Sequence, residues 1–373
     1  MQVIEVKTHQ DEQAFLDVAR NIYRDDPLWV CPLDNDIKAV FDPKKNNFHS
    51  FGECTRWILR NTNGELIGRI SAFINRKKAY QYELPTGGCG FFECINNTEA
   101  AQLLFDTAKF WLSERGMKSM LGPINFGEND MWWGLLVDGF TKPYYGMNYN
   151  PPYYQALFES YGFKTEYEQI SNRITTSNPF PERFTKIANW VAGKPGITFR
   201  HLDVSQMDAF SSDFKEIYND AWQDFENFTP ITDATIRESF EKMKPVVDEK
   251  LIWFAYVDGV PASFVVILPD INELIRGING KLNLWGKLRF IWNKWVVGHK
   301  RMRAIIMGTR KKYQRFGLES ALFTKLKEYT EPINRYQELE LSWVGDFNKP
   351  MLSIHQATGA TFAKKHLTMR CIF

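Results

Sequence analysis

The sequence repeats its own order of elements after about 195 residues. Asn63-Gly64 and Asp258-Gly259 each stand between two apolar runs, and the two glycines are 195 positions apart. Such dipeptides between apolar runs are strong signals for a β-hairpin. Gly162 and Gly359, which end two short helical patterns, are 197 positions apart. A repeat of this length is too long for a solenoid unit and indicates a duplicated domain.

Each half follows the order β–α–ββ–β–α–β–α–β. This order predicts an α/β fold in which a mixed sheet carries helices on its faces. The predicted domains are residues 1–170 and 197–373, and residues 171–196 are predicted to form a linker with three prolines and one helix. At 373 residues the chain is long enough to build two hydrophobic cores.

Composition excludes several classes of protein. A content of 44% hydrophobic and 24% charged residues is typical of a folded globular chain. The start lacks the pattern of a secretory signal, and no apolar run reaches the ~18 residues of a membrane span. The five cysteines are an odd number without CxxC spacing, which indicates neither a disulfide framework nor a zinc site. We expect a cytoplasmic protein without a bound metal.

The net charge of +2 hides a strong asymmetry. Between Glu273 and Glu319 there is no acidic residue, whereas Lys and Arg occur twelve times, so the rest of the chain is net acidic. Basic character concentrated in one segment favours a polyanionic ligand there.

One part of this basic segment has the pattern of a phosphate site. The apolar run 304–307 predicts a strand, a basic loop follows, and Leu318, Leu322 and Leu326 predict an amphipathic helix. The first N–H groups of a helix are unpaired, and its dipole attracts anions. Gly317, at the start of this helix, allows the backbone to approach a ligand closely.

Two motifs carry a resemblance to a known family. Gln314-Arg315-Phe316-Gly317-Leu318-Glu319 resembles the acyl-CoA pyrophosphate loop of the GNAT acetyltransferases, Gln/Arg-x-x-Gly-x-Gly/Ala, except that Glu319 replaces a small residue. Asn348-x-x-Met351-x-x-x-His355-x-x-x-Gly359 resembles the later GNAT segment Asn-x-x-Ala-x-x-x-Tyr-x-x-x-Gly-Phe. With the order of elements, the resemblance covers nearly the whole chain and is that of a bacterial group of tandem GNAT-like proteins.

The resemblance implies transfer of an acyl group from acetyl-CoA or another acyl-CoA to an amine of a small molecule or peptide. It assigns cofactor binding to residues of the strand, the loop and the later segment: Met307, Gly308, Thr309, Gln314, Arg315, Phe316, Gly317, Leu318 and Asn348. Asn348 is also a suitable N-cap for the helix that follows it. A second hypothesis is a non-catalytic binding protein, because Glu319 and the missing tyrosine are departures from the family pattern.

Two catalytic residues follow from the same resemblance. His355 stands where the family has a tyrosine that protonates the leaving thiolate, and imidazole can donate a proton near neutral pH. Glu340 is the predicted base, acting through water, although Glu338 lies on the same face of the predicted strand. The alternatives are a structural histidine and a solvated pair of glutamates.

The first half lacks the loop. Residues 94–100 contain no glycine and no basic residue, and Asn97 or Thr98 is a suitable N-cap for the next helix. We therefore expect no CoA binding in the first half. Its loop 122–147 and a group of tyrosines form either an acceptor pocket between the domains or a packed aromatic core; these tyrosines are Tyr144, Tyr145, Tyr149, Tyr153 and Tyr154.

Residues 281–303 have no counterpart in the first half. They contain Trp285, Trp292 and Trp295 together with seven basic residues. Three interpretations remain: an amphipathic helix packed on its own domain, contact with an anionic membrane surface, or contact with an acyl carrier protein. The last of these allows a further function, in which an acyl carrier protein is the donor of a longer acyl chain. No motif for reading nucleic acid is present, and no nucleic acid is expected as a partner.

Overall fold

The computed structural model describes residues 1–224 and 230–373. The first half contains β1 (Gln2–Glu5), α1 (His9–Ile22), α2 (Asp34–Val40), β2 (Gly52–Arg60), β3 (Leu66–Asn75), β4 (Thr86–Cys94), α3 (Thr98–Ser113), β5 (Ser119–Gly122), β6 (Leu135–Asp138), α4 (Tyr154–Tyr161) and β7 (Lys164–Thr175). A connecting helix follows, α5 (Glu182–Ala192). The second half contains β8 (Ile197–His201), α6 (Met207–Trp222), α7 (Asp233–Met243), β9 (Ile252–Val257), β10 (Val260–Pro269), α8 (Ile271–Ile275), α9 (Leu284–Trp292), β11 (Arg301–Thr309), α10 (Leu318–Ile333), β12 (Glu338–Gly345), α11 (Lys349–Ala357) and β13 (Thr361–Ile372).

The elements with strong local signals form as predicted. Both predicted hairpins are present, because β2 pairs antiparallel with β3 and β9 with β10. Gly64 and Gly259 adopt φ angles of +82° and +77°, which glycine accepts without strain. The α/β fold class is confirmed.

One stretch differs from the prediction. The strand β7 continues to Thr175, into the stretch predicted as linker. The extra strand residues have ladder partners on both sides, since Thr175 pairs with Glu338 of β12 and Arg173 also pairs with Thr361 of β13. Pairing partners so distant in sequence leave no local pattern.

The thirteen strands within the described residues form one sheet, in which the halves exchange their last strands. The order is β1-β2-β3-β4-β5-β13-β7-β12-β11-β10-β9-β8, with β6 paired to β13. The last strand of the first half, β7, therefore lies beside β12, and the last strand of the chain, β13, lies beside β5. Because β7 and β13 also pair with each other, the two halves form a continuous structure.

Helices cover both faces of each half. In the second half, α5 and α10 pack on one face over Leu339 and Leu341 of β12, whereas α6 and α7 belong to the apolar cluster of the other face. In the first half, α3 and α4 share one cluster and α1 belongs to another. Successive residues of β12 therefore face opposite sides of the sheet, with Leu339 and Leu341 on the side of α10.

Candidate functional site

The strands β11 and β12 separate in the middle of the sheet. They pair in parallel at only four positions, residues 301–304 with 338–341. The register of β11 against β10 then shifts, so that Ile305 has no partner on β10, and β12 continues along β7 instead. Beyond Ala304, no described strand pairs with this edge of β11. The result is a cleft between two strands whose backbone groups are free to bind an extended ligand.

The predicted phosphate loop leads from β11 into α10. Arg315 and Gly317 both have left-handed backbones, with φ of +72° and +78°, and no side chain that the structure describes caps the helix. The first turn of α10 therefore keeps N–H groups that an anion can accept as partners. Gly317 is required for a second reason, since a Cβ at this position would lie 2.6 Å from Cγ2 of Ile187 on α5.

The basic residues of the loop divide into two pairs. Arg310 and Lys311 form ion pairs with three acidic residues of the α6 region, Glu216, Asp220 and Asp224. Lys312 is exposed, as is Arg315, and among the described residues neither has an ion-pair partner. Lys312 and Arg315 are consequently the cations that the loop offers to a phosphate.

The remaining predicted cofactor residues are placed around this loop. Met307, Gly308 and Thr309 end β11, and Gly308 lies beneath Trp222 of α6. Gln314 and Phe316 are exposed, and Leu318, the first residue of α10, is buried. Their contacts with a cofactor stay predictions.

Glu340 is completely buried on the face of β12 that points away from α10. One carboxylate oxygen lies 2.5 Å from Nζ of Lys364 on β13, and the other has no hydrogen-bond partner among the described residues. Arg303 of β11 is also buried, and it donates a 2.9 Å hydrogen bond to the carbonyl of Tyr145. The predicted base therefore lies below the loop of the first half, and its free oxygen can accept a proton.

Glu338, two residues before Glu340, has a structural role. The hydroxyl of Tyr144 donates a 2.6 Å hydrogen bond to it, and Arg301 and Arg173 lie 3.5 and 3.3 Å away. These contacts join the predicted loop 122–147 of the first half to the second half. Since its oxygens are already bonded, Glu338 is a poorer candidate for a base than Glu340.

His355 does not lie beside Glu340. Its Nδ1 accepts a 3.0 Å hydrogen bond from Asn172, whose cross-strand partner is Leu341. Leu341 packs below α10, so Asn172 and His355 are on the opposite face of the sheet from Glu340. Burial lowers the pKa of His355 to about 4, and at neutral pH the ring is uncharged with its hydrogen on Nε2. Burial thus opposes the protonated form that a proton donor requires.

Asn348 caps the helix that carries His355. Its side chain accepts a 3.2 Å hydrogen bond from the backbone N–H of Met351. The capping role predicted for Asn348 is therefore present, and a contact with the cofactor arm stays a prediction.

The first half also has a bulge in β4, but its cleft is filled. Phe91 of β4 has a φ of +49° and lies where the register between β3 and β4 shifts. The chain after β5 then folds back over β4, where a Cβ on Gly90 would lie 1.8 Å from the carbonyl oxygen of Ile124. The N-cap prediction is confirmed, because Asn97 accepts a 2.8 Å hydrogen bond from the N–H of Ala100. Both features work against a second phosphate site.

A cavity of about 60 Å³ lies farther along β4, between the halves. Tyr145, Tyr149 and Tyr154 contribute to its wall, and so does Asn272 of the second half. The tyrosine cluster is thus partly a pocket wall, while Tyr144 is fully buried. Its use by an acceptor stays a prediction.

Sequence reasoning missed the carboxylate in this cavity. Glu93 lies 3.3 Å from Arg69 and accepts 2.8 Å hydrogen bonds from the hydroxyls of Tyr23 and Tyr154. Burial raises the pKa of Glu93. The available signal was an acidic residue inside the apolar strand pattern around Phe91 and Phe92.

Comparisons with known proteins agree with the fold. No protein-family model matches the sequence. Over 372 residues the chain is 32% identical to the bacterial ceramide synthase of Caulobacter vibrioides (strain NA1000 / CB15N), covering 98% of this chain and 96% of that protein. It is 28% identical over 365 residues to protein YghO of Escherichia coli (strain K12), covering 95% and 91%.

Solved structures share the fold. A tandem GNAT protein from the clavulanic acid biosynthesis pathway superposes with a TM-score of 0.60 at 10% identity, covering 100% of this chain and 98% of that chain. A GCN5-related N-acetyltransferase from Sphaerobacter thermophilus gives 0.53 at 12% identity, covering 99% and 95%. The fold is the tandem GNAT fold, and together with the sequence relative it supports acyl transfer in general. The chain belongs to the family of the bacterial ceramide synthase.

Proposed function

We propose that the chain transfers a fatty acyl group from a thioester to the amine of a long-chain amino alcohol. The product is an amide of the ceramide type. The acceptor is inferred from the relative named for ceramide synthesis, which aligns with almost the whole of this chain. The sequence predicts acetyl-CoA or another acyl-CoA as the donor. The proposal narrows this donor to one with a long acyl chain, carried by CoA or by an acyl carrier protein.

One observation carries the donor side of the proposal. The cleft between β11 and β12 opens after Ala304 and leads to the uncapped start of α10, beside Lys312 and Arg315. An extended thioester arm fits along the free strand edge, and a pyrophosphate fits the helix N-terminus. These two features favour an acyl donor that carries a phosphate group at one end.

The reaction requires two proton movements. The amine nitrogen forms a bond to the thioester carbonyl carbon while the carbon–sulfur bond breaks, the nitrogen loses a proton, and the thiolate gains one. Glu340 is the proposed acceptor of the amine proton, by way of water, through the oxygen that has no hydrogen-bond partner in the described part of the chain. The ring of His355 is uncharged and donates no proton in this scheme, so the leaving thiolate takes its proton from water.

The experiment measures amide formation and thiol release with purified protein. Palmitoyl-CoA, acetyl-CoA and palmitoyl acyl carrier protein are each supplied with sphinganine or with a short amine. We expect amide and thiol in equal amounts only with the long-chain donor and sphinganine. Glu340→Gln is expected to lower kcat by about 100-fold or more. Glu328→Gln, on the exposed side of α10, is the matched control.

Three outcomes contradict the proposal. Donor binding without turnover indicates the non-catalytic alternative. If acetyl-CoA and short amines react as fast as the long-chain substrates, the proposal of a lipid acceptor is wrong. Unchanged kcat in Glu340→Gln, with donor binding intact by calorimetry, removes Glu340 as the base.

A further inference from the structure

The inserted helix α9 and the turn after it expose an unusual amount of apolar surface. Trp285 and Trp295 are each 77% exposed. Six further large apolar side chains of the same segment are also exposed: Leu284, Leu288, Ile291, Trp292, Val296 and Val297. The helix is attached to its own domain along one side, but most of its large apolar side chains are left uncovered. Contiguous exposed apolar surface of this kind marks an interaction site.

The exposed residues form a stripe that points away from the protein. Leu284, Leu288, Ile291 and Trp295 are separated by four, three and four positions, which places them on one helical face. The attached side is marked by the buried residue Asn293, whose amide donates hydrogen bonds of 2.8 and 3.0 Å to the carbonyls of Leu274 and Arg276. The apolar side is thus held outward by the fold.

Gly286 allows α9 to pack closely against the loop that precedes it. A Cβ at this position would lie 2.0 Å from the carbonyl oxygen of Lys281. Gly286 and Asn293 are seven positions apart, on the side of α9 opposite the stripe. The segment is therefore anchored along one side, and its orientation does not depend on a partner.

The charges beside the stripe are all positive. Lys281, Lys287 and Arg289 are exposed, and no acidic residue occurs between Glu273 and Glu319. A second copy of the same surface would bring these cations together. Trp285 and Trp292 lie along one edge of the stripe, and tryptophan favours the boundary between lipid chains and headgroups. Cations above such a boundary are attracted to anionic headgroups.

We infer that residues 281–297 dock on an anionic membrane surface, with α9 lying in the plane of the headgroups and its stripe inserted among the acyl chains. Among the described residues no helix combines the length and the apolar composition needed to cross a bilayer. The docking segment belongs to the second half. The residue just before it contacts the first half, because the backbone N–H of Asp34 donates a 2.9 Å hydrogen bond to the carbonyl of Gly280. This inference goes beyond acyl transfer and does not rest on it.

The experiment is vesicle flotation at low salt with the full chain and without any acyl donor or acceptor. The vesicles contain phosphatidylcholine alone or phosphatidylcholine mixed with phosphatidylglycerol. We expect binding to the mixed vesicles, weakened by salt. Leu288→Glu/Trp295→Glu is expected to bind about 100-fold more weakly, since it removes two inserted side chains. Lys287→Glu/Arg289→Glu is expected to lose the preference for phosphatidylglycerol.

Phe110→Glu is the matched control, because Phe110 is an exposed aromatic residue on α3, outside the insertion. It is expected to bind as the unmodified chain does. The inference is overturned if the unmodified chain stays unbound with phosphatidylglycerol vesicles, or if the stripe variant floats equally well. Light scattering that shows a dimer lost in the stripe variant would assign the surface to a second copy. Capture of acyl carrier protein without vesicle binding would assign it to that protein.

Discussion

The hydroxyl of Thr309 donates a 2.6 Å hydrogen bond to Oε1 of Glu319, across the turn between β11 and α10. The hydroxyl of Ser263 lies 2.8 Å from the same Thr309 oxygen. The carboxylate of Glu319 is therefore held against the end of the sheet. This contact explains how an acid can occupy a position where the GNAT pattern has a small residue, since its charge is directed away from the exposed side of the loop.

Glu319→Gln tests this orientation. Glutamine can still accept the hydrogen bond from Thr309 but carries no charge. Because the carboxylate points inward, we expect the affinity for palmitoyl-CoA to change by no more than about threefold in calorimetric titration. Glu328→Gln in the same helix is the control. A tenfold gain in affinity would mean that Glu319 repels the phosphate and that the inward contact is absent in solution.

Neutralising the free cations of the loop is expected to weaken donor binding. Lys312→Gln/Arg315→Asn removes both charges, and asparagine tolerates the left-handed backbone at position 315. The loss of two charge-assisted contacts predicts an affinity for palmitoyl-CoA at least about tenfold lower, with a weaker dependence on salt.

Lys118→Gln, an exposed change in the first half, is the control for this pair and is expected to bind normally. Unchanged affinity in Lys312→Gln/Arg315→Asn would place the phosphate elsewhere. Protection of residues 94–100 from hydrogen exchange by the donor would point to the first half instead.

The buried pair of Lys364 and Glu340 is expected to be strongly coupled in stability. Lys364→Met leaves the Glu340 carboxylate without its 2.5 Å partner inside the protein. Removing one member of a buried ion pair costs about 3–5 kcal/mol, so urea denaturation should show a loss of this size. The double variant Lys364→Met/Glu340→Gln should recover much of it. Additive losses would show that the two groups do not interact in solution.

His366 is expected to make the protein less stable in acid. Burial, with Lys364 and Arg303 nearby, lowers its pKa to about 4 from the ordinary value of 6.5. Between these values the unfolded chain binds the proton more strongly, so the free energy of unfolding falls as the pH falls from about 6.5 to about 4. From pH 7 to pH 5, His366 should contribute a loss of about 2 kcal/mol.

The variant His366→Gln isolates this contribution. Its free energy of unfolding should fall less between pH 7 and pH 5 than that of the unmodified chain, by urea denaturation at both values. Other groups also titrate in this range. The lowered pKa of His299 and of His355 reduces stability in acid, whereas the pKa of about 6 at Asp270 increases it. These contributions are the same in both proteins and cancel in the comparison. The exposed His9→Gln is the control. Identical pH dependence in both variants would contradict the prediction.

Local sequence patterns predicted much of the fold and the donor loop. Apolar periodicity indicates helices such as α3 and α10, and Asn-Gly or Asp-Gly turns indicate hairpins, because each depends on residues a few positions apart. The start of α10 at Gly317 follows from the same kind of signal. The partners of Arg310 and Lys311 could not be predicted, since their acids lie about ninety positions away in the sequence.

The sequence by itself determined the duplication, the order of elements and the chemistry available at the loop. Only the tertiary structure decided that β7 and β13 are exchanged between the halves and that Glu340 and His355 face opposite sides of the sheet. It also decided that the stripe on α9 points outward. The physical reason is that strand partners, burial and ion pairs are chosen by competition among all surfaces of the folded chain, whereas helices and turns are largely chosen by their neighbours in sequence.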